Sequence, residues 1–129
     1  MTDKVVDASA VVALLFNETT RESVVARLRD CSLHAPALLR FEVANACLKK
    51  MRAVPSEREA LLEAFSLLDA LAIELQTIDL EQALAVAERT ALSVYDASYL
   101  WLARALDAEL VTLDYRLARA EETLRGATR

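Results

Sequence analysis

The sequence predicts an α/β fold: a central parallel sheet of four to five short strands covered by helices on both faces, in a single domain of residues 1–129. Two observations carry this reading. Short apolar runs of strand length alternate with longer segments whose apolar residues recur at helical spacing, the pattern of a sheet built from crossover units. Composition agrees. One glycine (Gly126) and two prolines (Pro36, Pro55) leave little for a turn-rich all-β fold, and 55% hydrophobic residues suffice for a core.

Taken in order, residues 4–6 read as the first strand and residues 10–16 as an apolar helix, with Asp7 at the joint. Asp is a favoured N-cap, and in open parallel sheets ligands bind outside the carboxyl ends of strands. Thr19 or Thr20 can cap a second helix reaching about residue 29. Leu33, His34 and Ala35 form the second strand candidate, closed by Pro36, which suits the first turn of a third helix running to about Arg52. Pro55 opens a fourth helix that ends near Leu71, and residues 73–75 are a third, short strand candidate. Residues 79–92 read as helix, with Leu80, Ala83, Leu84 and Ala87 on one stripe. Asp96 begins the next helix, Leu106 ends it, and residues 110–113 form the last strand. Asp114 then opens a final helix to about Leu124.

The shortage of glycine excludes a glycine-rich phosphate loop. Two cysteines make no disulfide framework: Cys47 reads as a core thiol on a helix and Cys31 as a loop residue in a reducing compartment. The lone His34 cannot build a His-rich zinc site and reads as an ordinary strand or loop residue. A formal net charge of −5 argues against a generic basic nucleic-acid binder. Acids gathered around bound metal would bring that balance near neutral. The N-terminus carries no basic signal-peptide region, and no stretch reaches the ~20 apolar residues of a membrane span. A cytoplasmic chain is expected.

Four acids stand out. Asp7 and Asp114 each follow an apolar strand and precede a helix, which brings both to one edge of a parallel sheet. Capping explains each alone, but not why both are Asp where Ser, Thr or Asn would serve. Asp96 is expected to cap a helix that is apolar on nearly every face, and a positive helix end also suits an anion. Glu42 caps nothing. It lies mid-helix between an apolar stripe of Phe41, Ala44, Leu48 and Met51 and another of Leu39, Val43 and Ala46. Lys49 lies too far along to pair with it, and an unpaired buried carboxylate costs on the order of several kcal/mol. A bound cation would relieve that cost. The remaining acids, Glu109 and Glu121 among them, read as solvated charges near Arg or Lys.

The segments Val5-Val6-Asp7-Ala8-Ser9, Arg40-Phe41-Glu42-Val43-Ala44-Asn45, Tyr95-Asp96-Ala97-Ser98-Tyr99-Leu100-Trp101-Leu102-Ala103 and Leu110-Val111-Thr112-Leu113-Asp114 occur in that order. The set resembles a PIN domain and, more narrowly, the VapC-type toxins of prokaryotic toxin–antitoxin pairs, over nearly the whole chain. The resemblance implies that Asp7, Glu42, Asp96 and Asp114 hold one or two Mg²⁺ or Mn²⁺ ions, with Ser9, Asn45 and Thr112 supporting the carboxylates. Oxygen-only ligands suit such hard cations, and the lack of Cys or His argues against zinc. It further implies a metal-dependent endoribonuclease that leaves a 5′-phosphate. Its antitoxin partner would wrap the chain and place an Arg in the acidic pocket, and a homodimer is typical.

Arg40, Lys49, Arg52, Arg116 and Arg119 lie close to these motifs and are candidate RNA contacts. The chain departs from the pattern in residues 106–110, where many relatives carry a glycine before the last strand. The competing reading is a catalytically silent module whose acids form a structural ion site or a protein-docking surface. A phospho-acceptor receiver domain is set aside, because residues 73–76 supply no acceptor Asp and no Lys follows Lys50.

Overall fold

Val5 and Val6 are adjacent in the chain and both fully buried. Successive strand residues point to opposite faces, so their strand is covered on both. In the computed structural model, which describes residues 1–127, that strand is β1 (Thr2–Val6). It lies in one parallel sheet with β2 (Cys31–Pro36), β3 (Glu74–Gln76) and β4 (Glu109–Val111), in the order β3-β2-β1-β4. The flanking helices are α1 (Ala8–Leu15), α2 (Arg21–Leu28), α3 (Leu38–Ala53), α4 (Arg58–Phe65), α5 (Leu80–Thr90), α6 (Val94–Ala105) and α7 (Tyr115–Ala127). Helix α6 packs on β1, β2 and β4, and its Leu100, Leu102 and Ala103 join Val5, Val6, Val11, Leu39, Val43 and Val111 in the core.

The topology fixes where a ligand would go. From β1 the chain steps outward to β2 and β3, then returns to add β4 on the other side of β1. The strand order reverses between β1 and β4, and the crevice at their carboxyl ends is the usual ligand position in such sheets. Asp7 follows β1 directly, and Asp114 lies just beyond β4.

Several boundaries differ from those expected, each for a local reason. Pro36 ends β2 rather than opening α3, because proline biases Ala35 toward extended backbone and prolongs the strand. Cys31 opens that strand instead of lying in a loop. The single helix expected over residues 55–71 breaks into a 3-10 turn (Pro55–Glu57), α4 and a second 3-10 turn (Leu68–Leu71). At the break the Ser66 hydroxyl donates to the Glu63 carbonyl, competing with helix continuation. Helix α6 starts at Val94, not Asp96. Strand β4 stops at Val111, because Leu113 N–H turns to the Ser9 hydroxyl and Asp114 N–H to the Thr112 hydroxyl.

Two apolar stripes are also reassigned. On α3 the buried line is Leu39, Val43 and Cys47, while Phe41 is 79% exposed and Ala44 and Leu48 are exposed as well. On α5 the buried residues are Ala83 and Val86, and Leu80 and Leu84 face outward. With glycine scarce, left-handed turn positions fall to Asn17, Asp30, Ala72, Ala91 and Asp107. Asp107 (φ 50°) sits in the turn before β4, and Asp tolerates that backbone better than most residues. No helix among the described residues is long and apolar enough to cross a membrane.

Candidate active site

Asp7 is both a cap and a hub. Its Oδ1 accepts from Ala10 N–H (3.2 Å), capping α1, and from the Ser9 hydroxyl (2.7 Å), while Oδ2 accepts from the Thr112 hydroxyl (2.6 Å). Three donors use three of the roughly four acceptor positions of a carboxylate. The Thr112 hydroxyl in turn accepts from Asp114 N–H (2.9 Å), and Ser9 Oγ accepts from Leu113 N–H (2.8 Å). One network therefore ties the end of β1 to the segment after β4. Asp7 is only 5% exposed. Burial raises its pKa, the three hydrogen bonds oppose that rise, and the charge of Asp114 adds to it.

Asp114 caps α7, accepting at Oδ1 from Arg116 N–H (2.9 Å) and Leu117 N–H (3.2 Å). Asp96 does not cap its helix. Ser93 does, through Oγ and Asp96 N–H (3.1 Å), which leaves the Asp96 carboxylate free of that duty in the first turn of α6. Its Oδ2 lies 3.6 Å from an Arg116 guanidinium nitrogen. Glu42 reaches in from α3, half-buried, and its Oε1 accepts from the buried Tyr99 hydroxyl. Burial raises the Glu42 pKa, the Tyr99 bond opposes the rise, and the charges of Asp96 and Asp7 reinforce it. Burial, followed by Glu42 and by the Asp7 and Asp96 charges, drives the Tyr99 phenol far above its usual range, so it stays a donor.

Charge therefore links the acids in pairs: Asp114 acts on Asp7, and Asp96 and Asp7 act on Glu42. Among the described residues no three Asp, Glu, His or Cys side chains are drawn close enough to hold one ion as they stand. The donor set nonetheless suits a hard divalent cation. It is all oxygen, and Glu42 Oε2, Asp96 Oδ1 and Asp114 Oδ2 make no hydrogen bond within the described residues, while the exposed Arg116 supplies a counter-charge at Asp96.

Of the supporting residues, Ser9 and Thr112 bond Asp7 directly. Asn45 is exposed beside Glu42 and lines a shallow groove with Leu38, Phe41 and Tyr95, without a hydrogen bond to any of the acids. Among the candidate RNA contacts, Arg116 sits at the acids, and Arg119 lies one turn on, its guanidinium 5.5 Å from the Tyr115 ring centre. Arg40 is paired instead with Asp69 (2.7 Å). Lys49 and Arg52 are exposed on α3, with Lys49 roughly 10 Å along the axis from Glu42. The sequence alone gives Tyr99 no role at the site. Its signal was a phenol on an otherwise apolar helix, since a buried Tyr hydroxyl needs a partner.

A four-stranded parallel sheet in the order β3-β2-β1-β4, with Asp7 and Asp114 beyond the carboxyl ends of β1 and β4, places this chain in a small class of α/β proteins. The PIN domain family model matches residues 4–123, and the chain belongs to that family. It is similar to a Pyrobaculum aerophilum protein named Ribonuclease VapC3, with 36% identity over 119 residues, 88% of this chain and 91% of that one. A Mycobacterium tuberculosis protein of the same name is 39% identical over 124 residues, 90% of this chain and 85% of that one. The crystal structure of PAE2754 from Pyrobaculum aerophilum matches with a TM-score of 0.75 and 26% identity, covering 99% of this chain and 97% of that one.

Proposed function

We propose that this chain is a metal-dependent endoribonuclease, the toxin of a toxin–antitoxin pair, acting in the cytoplasm as a single catalytic domain. The observation that carries the reading is the Asp7 hub. A buried carboxylate is held by three donors at the switch point, the charge of Asp114 is felt at Asp7, and those of Asp96 and Asp7 are felt at Glu42. The ribonuclease name of two relatives covering most of the chain supports the RNA substrate. Asp7, Glu42, Asp96 and Asp114 would hold Mg²⁺ or Mn²⁺, directly or through water. Such an ion, when bound, activates a water and offsets charge on the phosphodiester during in-line attack. The chain's own part is preorganisation. Ser9, Ala10 N–H and Thr112 fix Asp7, Ser93 caps α6 so that the Asp96 carboxylate is spared, and Arg116 offers a cation at the rim to phosphate oxygens.

The proposed partners are the antitoxin and a second copy of the chain. The surface that supports this is apolar and continuous. A groove of about 520 Å³, lined by residues including Leu38, Leu75, Leu80 and Tyr95, adjoins the one bordered by Phe41. The test is cleavage of RNA by the purified protein in Mn²⁺ and in chelator, with the ends mapped. Metal-dependent cuts with 5′-phosphates support the reading. Stabilisation by metal without cleavage would favour the silent module instead.

A further inference from the structure

We infer that Tyr99 is a positioning residue, holding the Glu42 carboxylate with one oxygen turned free for a divalent cation. The inference rests on the metal reading above. Tyr99 is 1% exposed, and its hydroxyl donates to Glu42 Oε1. A buried phenol without an acceptor, like a half-buried carboxylate without a donor, is unfavourable, and each answers the need of the other. Three features make this more than mutual satisfaction.

The donor is neutral. Lys or Arg in its place would cancel the Glu42 charge and remove the attraction for an external cation, whereas a hydroxyl fixes the geometry and leaves the charge in full. The bond engages one oxygen only, so Glu42 Oε2 makes no hydrogen bond among the described residues. The position is also telling: Tyr99 lies three residues after Asp96 on α6, and Glu42 lies on α3. The bond therefore fixes the acid of one helix against the acid of the other. Groups that orient metal-ligating side chains in this way commonly set metal affinity.

The test is Tyr99→Phe, which removes one oxygen and keeps the packed ring, compared with Glu42→Gln and the double variant. Mn²⁺ binding to the metal-free protein is measured by calorimetry, and thermal unfolding is followed without metal. We expect Tyr99→Phe to weaken Mn²⁺ binding about ten- to a hundredfold, as for other groups that orient metal ligands. Without metal the midpoint of unfolding should fall by about 5 °C or less, because Glu42 is only half-buried and water can replace the lost donor. In the Glu42→Gln background the same change should have no further effect on Mn²⁺ binding, because Tyr99 acts through Glu42. Unchanged affinity in Tyr99→Phe, or full additivity with Glu42→Gln, overturns the role of Tyr99 alone. Failure of the wild-type chain to bind Mn²⁺ overturns the metal reading, and this inference with it.

Discussion

Replacing Asp7 by Asn separates charge from architecture, and the hydrogen-bond network makes the outcome calculable. The amide oxygen can keep the bonds from the Ser9 hydroxyl and Ala10 N–H. Its NH₂ meets Thr112 Oγ1, which already accepts from Asp114 N–H and has a second lone pair available. The Thr112 proton then turns to Ser9 Oγ, 3.3 Å away. No donor is stranded. Three bonds lose charge assistance, about 1 kcal/mol each. Against this, a carboxylate that burial and Asp114 disfavour is removed, which offsets most of that loss. Stability without metal should therefore stay within about 1 kcal/mol of wild type, a shift of roughly 3–5 °C for a domain of this length. Asp7→Ala, by contrast, strands those donors and should lose about 3 kcal/mol or more. Cleavage follows the charge instead. A lost metal ligand removes several kcal/mol of transition-state stabilisation, about a thousandfold in rate. Thermal melts and a gel assay on a labelled RNA in Mn²⁺ read the two quantities, and an Asp7→Asn variant that cuts as fast as wild type refutes the reasoning.

Other outcomes follow from the same structure. Asp7, Glu42 and Glu121 have pKa values raised chiefly by burial, so the native state binds more protons than the unfolded chain. Their contribution is complete below the ordinary carboxylate range and is lost as pH rises through the raised values. Glu109, held low by Arg27, contributes in the opposite sense. Melts of the metal-free protein should show stability falling from the carboxylate range toward neutral pH, less steeply in Asp7→Asn. Saturating Mn²⁺ should stabilise more as pH rises, because metal and protons compete. Glu121 accepts from the Leu110 N–H of the edge strand β4 (2.7 Å), so Glu121→Ala should lose about 1–3 kcal/mol while Glu121→Gln stays near wild type. Equal melting of the two would remove that edge bond from the account. Phe41→Ser should leave unfolding within about 0.5 kcal/mol, since the ring is 79% exposed. Sedimentation should show it more monomeric than wild type, and an unchanged mass excludes Phe41 from self-association.

Local chemistry was what the sequence displayed best. Strand, Asp, helix is a short-range pattern, and Asp7 and Asp114 were placed by it at the correct edge of the sheet. Glu42 could be singled out because it had no local duty. Asp96 reads as the cap of α6, but Ser93 performs that role, and Ser and Asp three residues apart resemble the spacing of a capping box. What the sequence hid depends on partners remote in the chain. Tyr99 meets Glu42 across 57 positions, and nothing near either residue announces the bond. Glu121 read as solvated because its partner, Leu110 N–H, becomes an edge donor only once β4 is known to be the outermost strand. The choice between the two apolar stripes of α3 likewise waits on where the sheet lies, which is why Phe41 could be taken for core.

The reading turns on whether Asp7 after β1, Glu42 on α3, Asp96 on α6 and Asp114 before α7 together hold divalent metal, one ion or two. Anomalous diffraction from crystals of this protein soaked in Mn²⁺ tests it most directly. A peak enclosed by Asp7, Glu42, Asp96 and Asp114 is expected. No peak there at saturating Mn²⁺, or one held by other residues, would contradict it.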